Sequence, residues 1–328
     1  MKIGKHDTAE RVFVVAELSC NHMQDLGVAG ALMLAARAAG ADAVKLQHDN
    51  PLGGITIKCD AAPFRITDGP WAGNTLHELY LKTHTPWQWI GQLSRLAAAW
   101  GMECFSTPSC IPGVDFLEDH KVPAYKISSF EVTDYELVRR IAKTGKPVIL
   151  SDGCAMHSDI LFARKHIRNL AVLCCASKYE NTTVEDYDLR LLGTWERDGI
   201  SDHTLGPTAA VAAVGRGARI VEKHLTLSRE LGGPDAGFSA TPEEFKEMVT
   251  QIRAVEAALS TRAREVDQKW CKSLFAVKDI KKGERFTEEN IGIIRPGAGM
   301  HPKHYRKILG CKAKLDIVCG TPIKESMI

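Results

Sequence analysis

Two segments, GISDHT at Gly199–Thr204 and RIVEKHL at Arg219–Leu225, are strand-like and end in the same chemistry. Residues two apart on an extended strand project to one face, so Ser201 sides with His203 and Glu222 with His224. Between the segments lies PTAAVAAVGRGA, an Ala-rich helical stretch of the length a right-handed crossover between neighbouring parallel strands requires. A lone strand-end histidine is more often a hydrogen-bonded structural residue. Two at matching positions, each with a polar residue two places earlier, are expected to face one cavity.

The same alternation runs through most of the chain. Strand-like runs occur at Val12–Leu18, Asp42–Gln47, Glu103–Pro108, Ala124–Ser129, Pro147–Asp152 and Ala171–Ser177, before the two His segments. Amphipathic or Ala-rich stretches separate them, and FKEMVTQIRAVEAAL (Phe245–Leu259) closes the series. Eight βα units in about 260 residues is the count and size of a (β/α)₈ TIM barrel. A doubly wound open sheet would offer fewer strands and a glycine-rich first turn, and none follows Leu18. The polar residues fall at strand C-terminal ends, where a barrel places its chemistry: Glu17, Lys45, Gln47, Ser106, Lys126, Ser129, Ser151 and Ser177. Two lysines and several serines converging with two histidines suit an anionic ligand. The second connection, from about His48 to Pro86, is long and is expected to carry substrate contacts.

Composition excludes several classes. The net charge is +2 with both signs interspersed, so no nucleic-acid footprint appears. No apolar run reaches membrane-spanning length, and VFVVAEL is short, broken by Glu17 and without a cleavage pattern, so a cytoplasmic protein is expected. The ten cysteines include no CxxC and read as reduced thiols. After Leu259 a charged stretch reads as a linker at 261–272, following a catalytic domain at 1–260. A compact domain at 273–328 follows, near the lower size limit for independent folding.

In this order the motifs resemble those of the sialic acid synthase family, the phosphoenolpyruvate-condensing enzymes that make nonulosonic acids. AELSCNH (Ala16–His22), GADAVKLQ (Gly40–Gln47), the run from Pro123 to Gly153, GISDHTLG, IVEKHLTL and GGPDAGFSATPEEF (Gly232–Phe245) carry the resemblance. The tail is similar to the antifreeze-like (SAF) domain of such synthases. ELYLKTHTPWQW (Glu78–Trp89) and the AELS form of the first motif resemble the pseudaminic acid branch.

The resemblance implies condensation of phosphoenolpyruvate with the open-chain aldehyde of an N-acylated amino-hexose, with release of phosphate. The expected acceptor is 2,4-diacetamido-2,4,6-trideoxy-L-altrose, with N-acetylneuraminate or legionaminate synthesis from another sugar as the alternative. It implies that His203 and His224 bind a divalent cation, Mn²⁺ first and Mg²⁺ or Co²⁺ as substitutes. Lys45, Lys126, Ser129, Ser151, Ser177, Tyr179 and Ser201 match substrate-binding positions, and Glu17, Glu131, Glu222 and Asp235 match acidic catalytic positions. Arg295 matches an arginine that reaches into the barrel of a second subunit, which implies a domain-swapped homodimer.

Three positions depart from the family pattern. Asp152 stands where a threonine is common, close to the expected phosphate site, and should turn away or pair with a base. CCASKYE introduces Lys178 and Glu180, and Met23 replaces a residue that is usually Asn or Gly. Asp152 and Ala176 support a second reading, a catalytically silent homologue that binds sugar or a partner protein.

Overall fold

The computed structural model describes residues 1–50, 54–194, 196–259 and 267–328. The chain divides into two compact units, Met1–Ser260 and Thr261–Ile328. Of the linker expected at 261–272, positions 261–266 lie outside the described residues.

The first unit is a closed, all-parallel barrel of eight strands. They are β1 (Phe13–Glu17), β2 (Ala43–His48), β3 (Glu103–Pro108), β4 (Tyr125–Ile127), β5 (Val148–Ser151), β6 (Leu170–Cys175), β7 (Gly199–Asp202) and β8 (Ile220–His224). Eight helices accompany them: α1 (Leu26–Ala39), α2 (Leu76–Thr83), α3 (Ile90–Ala99), α4 (Ile111–Asp119), α5 (Tyr135–Ala142), α6 (His157–His166), α7 (Thr208–Gly215) and α8 (Pro242–Leu259). The barrel expected from the strand–helix alternation is therefore present, and β8 closes it against β1.

Local chemistry sets these boundaries. The Asp25 carboxylate accepts from the Val28 N–H at 3.0 Å and starts α1. Gly40, at φ 90°, stops it by turning its N–H back onto the Ala36 and Arg37 carbonyls. In α7 the small residues Ala209, Ala210 and Ala213 are buried, which lets this helix lie close to the sheet and to α8.

One connection differs from the expected helix in every unit. Between β6 and β7 the chain makes two 3₁₀ turns, Val184–Asp186 and Leu189–Leu191. YENTTVEDYD is rich in Asn, Thr and Asp, whose side chains compete for backbone groups, and it carries no apolar stripe. The turns bring Tyr187 against β7, where its hydroxyl donates to the Ser201 carbonyl at 3.3 Å and accepts the His203 N–H at 2.8 Å.

Two apolar layers hold the barrel. The larger lies between strands and helices. The smaller fills the lower barrel interior with Phe13, Val15, Ala43, Phe105, Ile149 and Ile220. Ile3 joins it from a short antiparallel pair, Lys2–Ile3 with His6–Asp7, that closes the bottom and that the sequence analysis did not anticipate. Burying each such large apolar side chain contributes roughly 1.5–3 kcal/mol. The upper interior is polar.

In the second unit β9 (Ser273–Ala276) pairs antiparallel with β10 (Ile291–Ile294). Leu274, Ile280, Phe286, Ile291, Ile317 and Ile323 form its core.

Candidate active site

Strand register assembles the site. His224 of β8 stands opposite Glu17 of β1, which stands opposite Lys45 of β2, and Glu222 stands opposite Ser201 of β7. These inward groups, with Lys126 from β4 and Ser151 from β5, meet above the apolar floor. They line a cleft that encloses about 820 Å³ of space, solvent at its open mouth included.

At its centre are two ammonium groups. Lys126 is 1% exposed; its Nζ donates to Ser151 Oγ at 2.7 Å and lies 3.8 Å from Glu222 Oε1. Lys45, 4% exposed, forms an ion pair with Glu17, donates to Thr107 Oγ1 at 3.3 Å and lies 3.9 Å from Glu222 Oε2. Ser201 donates to Glu222 Oε1 at 2.9 Å. Burial, opposed by Glu222 and reinforced by Lys45, holds Lys126 below the ordinary lysine range.

The carboxyl groups differ in charge state. Burial pushes Glu17 up to about 7 against the pull of Lys45. It also raises Glu131 and Asp235. Glu222 goes the other way: burial raises it, but Lys126, Lys45 and the Ser201 hydroxyl outweigh that and keep it ionised. Burial thus disfavours charge on Glu17, Glu131 and Asp235, which reduces the negative charge set against the two lysines.

The two histidines are neighbours: the His203 and His224 ring centroids lie 5.2 Å apart. Both Nδ1 atoms are buried and without hydrogen-bond partners. Burial, the neighbouring His203 and three lysines hold His224 well below the ordinary histidine range, which leaves one ring nitrogen with a lone pair to donate. Asp235 Oδ2 lies 3.8 Å from His224 Nδ1 and accepts from Ser19 Oγ. Among the described residues no group of three or more His, Cys, Asp or Glu side chains has metal-holding geometry. The donor set is thus two imidazoles with room for water or substrate oxygens. Phe238 lies edge-on to both rings, and Tyr179 packs edge-on to His203 at 4.8 Å.

Of the residues expected from sequence, Lys45, Lys126, Ser129, Ser151, Tyr179 and Ser201 line the cleft. So do Glu131, Glu222, Asp235, His203 and His224. Two expected residues stand behind the wall. Glu17 is fully buried, held by Lys45 and by the Ser19 N–H at 2.7 Å. Ser177, at φ 47°, shares a 2.6 Å hydrogen bond with Ser129. Arg295 belongs to the second unit, where its Nε donates to the Trp270 carbonyl at 2.8 Å.

The departures resolve physically. Asp152 does not line the cleft; its Oδ1 accepts the Cys175 N–H at 2.9 Å and its other oxygen pairs with Arg197. Lys178 is exposed and pairs with Asp186 at 3.0 Å, and Glu180 and Met23 are also exposed. Sequence reasoning missed Asp49, Trp71, Tyr80 and Thr107, which line the cleft as well. Asp49 continues the inward period of Lys45 and Gln47, a signal that was available. Trp71 comes from the long second connection and packs on Tyr179 at 5.1 Å.

Comparison with known proteins agrees with this architecture. Pseudaminic acid synthase of Campylobacter jejuni strain 81-176 is 40% identical over 99% of this chain and 99% of its own length. Pseudaminic acid synthase of Helicobacter pylori is 37% identical over 96% of this chain and 97% of its own. The crystal structure of the spore coat polysaccharide biosynthesis protein SpsE from Bacillus subtilis superposes with a TM-score of 0.65 at 29% identity, covering 98% of this chain and 97% of that one. The NeuB family model matches residues 32–264, and the SAF domain model matches residues 272–328. The chain belongs to the NeuB family and carries a SAF domain.

Proposed function

We propose that the protein condenses phosphoenolpyruvate with 2,4-diacetamido-2,4,6-trideoxy-L-altrose to give pseudaminic acid and phosphate. The observation that carries the reaction class is the pair of buried lysines, Lys45 and Lys126, set beside serine hydroxyls at the base of one cleft. A buried ammonium held below its ordinary range gains most from an arriving anion, since that anion restores the compensation burial removed. The phosphate and carboxylate of phosphoenolpyruvate supply such anions. The acceptor assignment follows the pseudaminic acid synthases at 37–40% identity over nearly the whole chain.

Carbon 3 of phosphoenolpyruvate attacks the sugar aldehyde, water adds at carbon 2, and the tetrahedral intermediate loses phosphate by C–O cleavage. Lys126 and Ser151 bind the anionic end and stabilise charge as it moves onto the leaving phosphate. Glu222, ionised between two lysines, is placed to accept a proton from the attacking water. Tyr179 and Phe238 cover the imidazoles and exclude bulk solvent. The two partnerless Nδ1 atoms of His203 and His224 fit a divalent cation, Mn²⁺ first, which when bound supplies Lewis-acid polarisation of an oxygen.

We further assign the protein to the cytoplasm, where phosphoenolpyruvate is made, and to a homodimer in which Arg295 serves the partner's barrel. Among the described residues no helix is long and apolar enough to cross a membrane. Mixing Arg295→Ala and His224→Ala subunits tests the exchange: activity returns only if each inactive chain supplies what the other lacks. The reaction is tested by phosphate release and product mass with the diacetamido sugar and with N-acetylmannosamine in parallel. Turnover of N-acetylmannosamine alone would move the assignment to neuraminate synthesis. No phosphate from either, in a folded sample with Mn²⁺, would favour the silent sugar-binding homologue.

A further inference from the structure

Asp49 is a buried carboxyl of the cleft that the mechanism above does not use. It lies one residue beyond β2, on the inward face that carries Lys45 and Gln47. Its backbone carbonyl accepts from Trp87 Nε1 at 2.9 Å, which pins the residue to the helical turn preceding α3. The Ser109 hydroxyl, which accepts the Asn50 N–H at 3.1 Å, stands near the Asp49 carboxyl. The cleft around it is lined by Ile55, Leu79 and Tyr80 from the long second connection. Among the described residues no base forms an ion pair with Asp49, because the nearby Lys45 ammonium is held by Glu17 and Thr107.

We propose that Asp49 recognises the acceptor sugar, its carboxylic acid donating a hydrogen bond to an acyl carbonyl oxygen whose methyl group packs on Ile55 and Leu79. This rests on the synthase reading above and names which group of the sugar the β2 wall receives. A neutral acid can donate where a carboxylate only accepts, and an amide carbonyl can only accept. Burial, the neighbouring Glu131 and, more weakly, Glu17 push Asp49 up to about 8, against the pull of Lys45 and Ser109. Tyr80, Cys110 and, across an adjoining hollow, His84 also face it; burial raises Tyr80 and Cys110, which stay neutral at that pH. The amphipathic wall also matches an acylamino group, apolar at its methyl and polar at its oxygen.

The test measures KM for the diacetamido sugar and for phosphoenolpyruvate in wild type, Asp49→Ala and Asp49→Asn. Removing the donor in Asp49→Ala raises the sugar KM about tenfold and leaves the phosphoenolpyruvate KM within about twofold. Asp49→Asn keeps a donor in the same place and restores the sugar KM. In wild type the sugar KM rises above about pH 8 as the acid ionises, and Asp49→Asn abolishes that rise. An unchanged sugar KM in Asp49→Ala, or equal weakening in Ala and Asn, would overturn the assignment. Should Asp49→Ala not fold, the pH profiles of wild type and Asp49→Asn decide: coincident profiles overturn it. If wild type turns over neither the diacetamido sugar nor N-acetylmannosamine, the synthase reading itself falls, and this assignment with it.

Discussion

Lys223 Nζ donates to Asp202 Oδ2 at 2.8 Å across the β7–β8 rung that immediately precedes His203 and His224. Both residues are about 1% exposed, and Lys223 also donates to the Thr204 carbonyl while Asp202 accepts the Thr204 N–H and hydroxyl at 2.8 Å. The pair projects to the outside of the barrel, away from the cleft, and ties together the two strands that present the imidazoles. Replacing Lys223 with Met leaves a buried, uncompensated carboxylate and lowers unfolding free energy by about 3–5 kcal/mol in urea denaturation. The double variant Lys223→Met, Asp202→Asn removes both charges and recovers part of that loss. Equal stability of the single and double variants would show that the charge pairing is unimportant.

Lys126→Met keeps most of the side-chain volume but removes the ammonium that Ser151 and Glu222 surround. Losing a charge-assisted contact to an anion costs about 1.5–3 kcal/mol, so phosphoenolpyruvate binding should weaken about 10- to 100-fold. Calorimetric titration of the wild type and the variant with phosphoenolpyruvate checks this. Unchanged affinity would remove Lys126 from the anion site.

His224→Ala deletes one of two imidazoles whose Nδ1 atoms lack partners. Electron paramagnetic resonance titration of Mn²⁺ should show tight binding in wild type and at least about tenfold weaker binding in the variant. The circular dichroism spectrum should stay unchanged, because the ring's contacts to His203 and Phe238 are confined to the cleft. Equal Mn²⁺ affinity would relocate the cation.

His48 is buried between Ser106, at 2.6 Å, and the rings of Trp87 and Phe116. Burial lowers it from 6.5 to about 3, so it folds neutral. The unfolded chain then binds the extra proton below pH 6.5, and stability falls as pH drops from about 6.5 toward 3. The loss from this residue is roughly 3 kcal/mol at pH 4. Tm measured from pH 7 to pH 4 should fall less steeply in His48→Asn than in wild type. Parallel slopes would contradict the assignment.

Much of this was readable in advance because barrel strands and their crossovers have distinct periods. Period-2 alternation at SDH and EKH located four inward groups, and the Ala-rich crossover fixed their strands as neighbours. What sequence hid was tertiary. Glu17 ends its strand and Lys45 lies within the next, yet only their register shows that the two are neighbours and that the lysine holds the carboxylate. Asp152 pairs with Arg197, a residue 45 positions later on an unrelated connection, which no local pattern encodes. Tyr187 was invisible because its loop lacks periodicity, although its hydroxyl holds the backbone on both sides of Asp202.

The apolar floor has a kinetic consequence. With Ile3 and its neighbours filling the lower end, the barrel is, among the described residues, a well open at its upper end. A ligand held at Lys126 and Ser151 lies below one held by Trp71 and Tyr80 of the second connection, so traffic is last in, first out. On the proposed assignment phosphoenolpyruvate loads before the sugar, and a dead-end sugar analogue should therefore inhibit competitively against the sugar but uncompetitively against phosphoenolpyruvate.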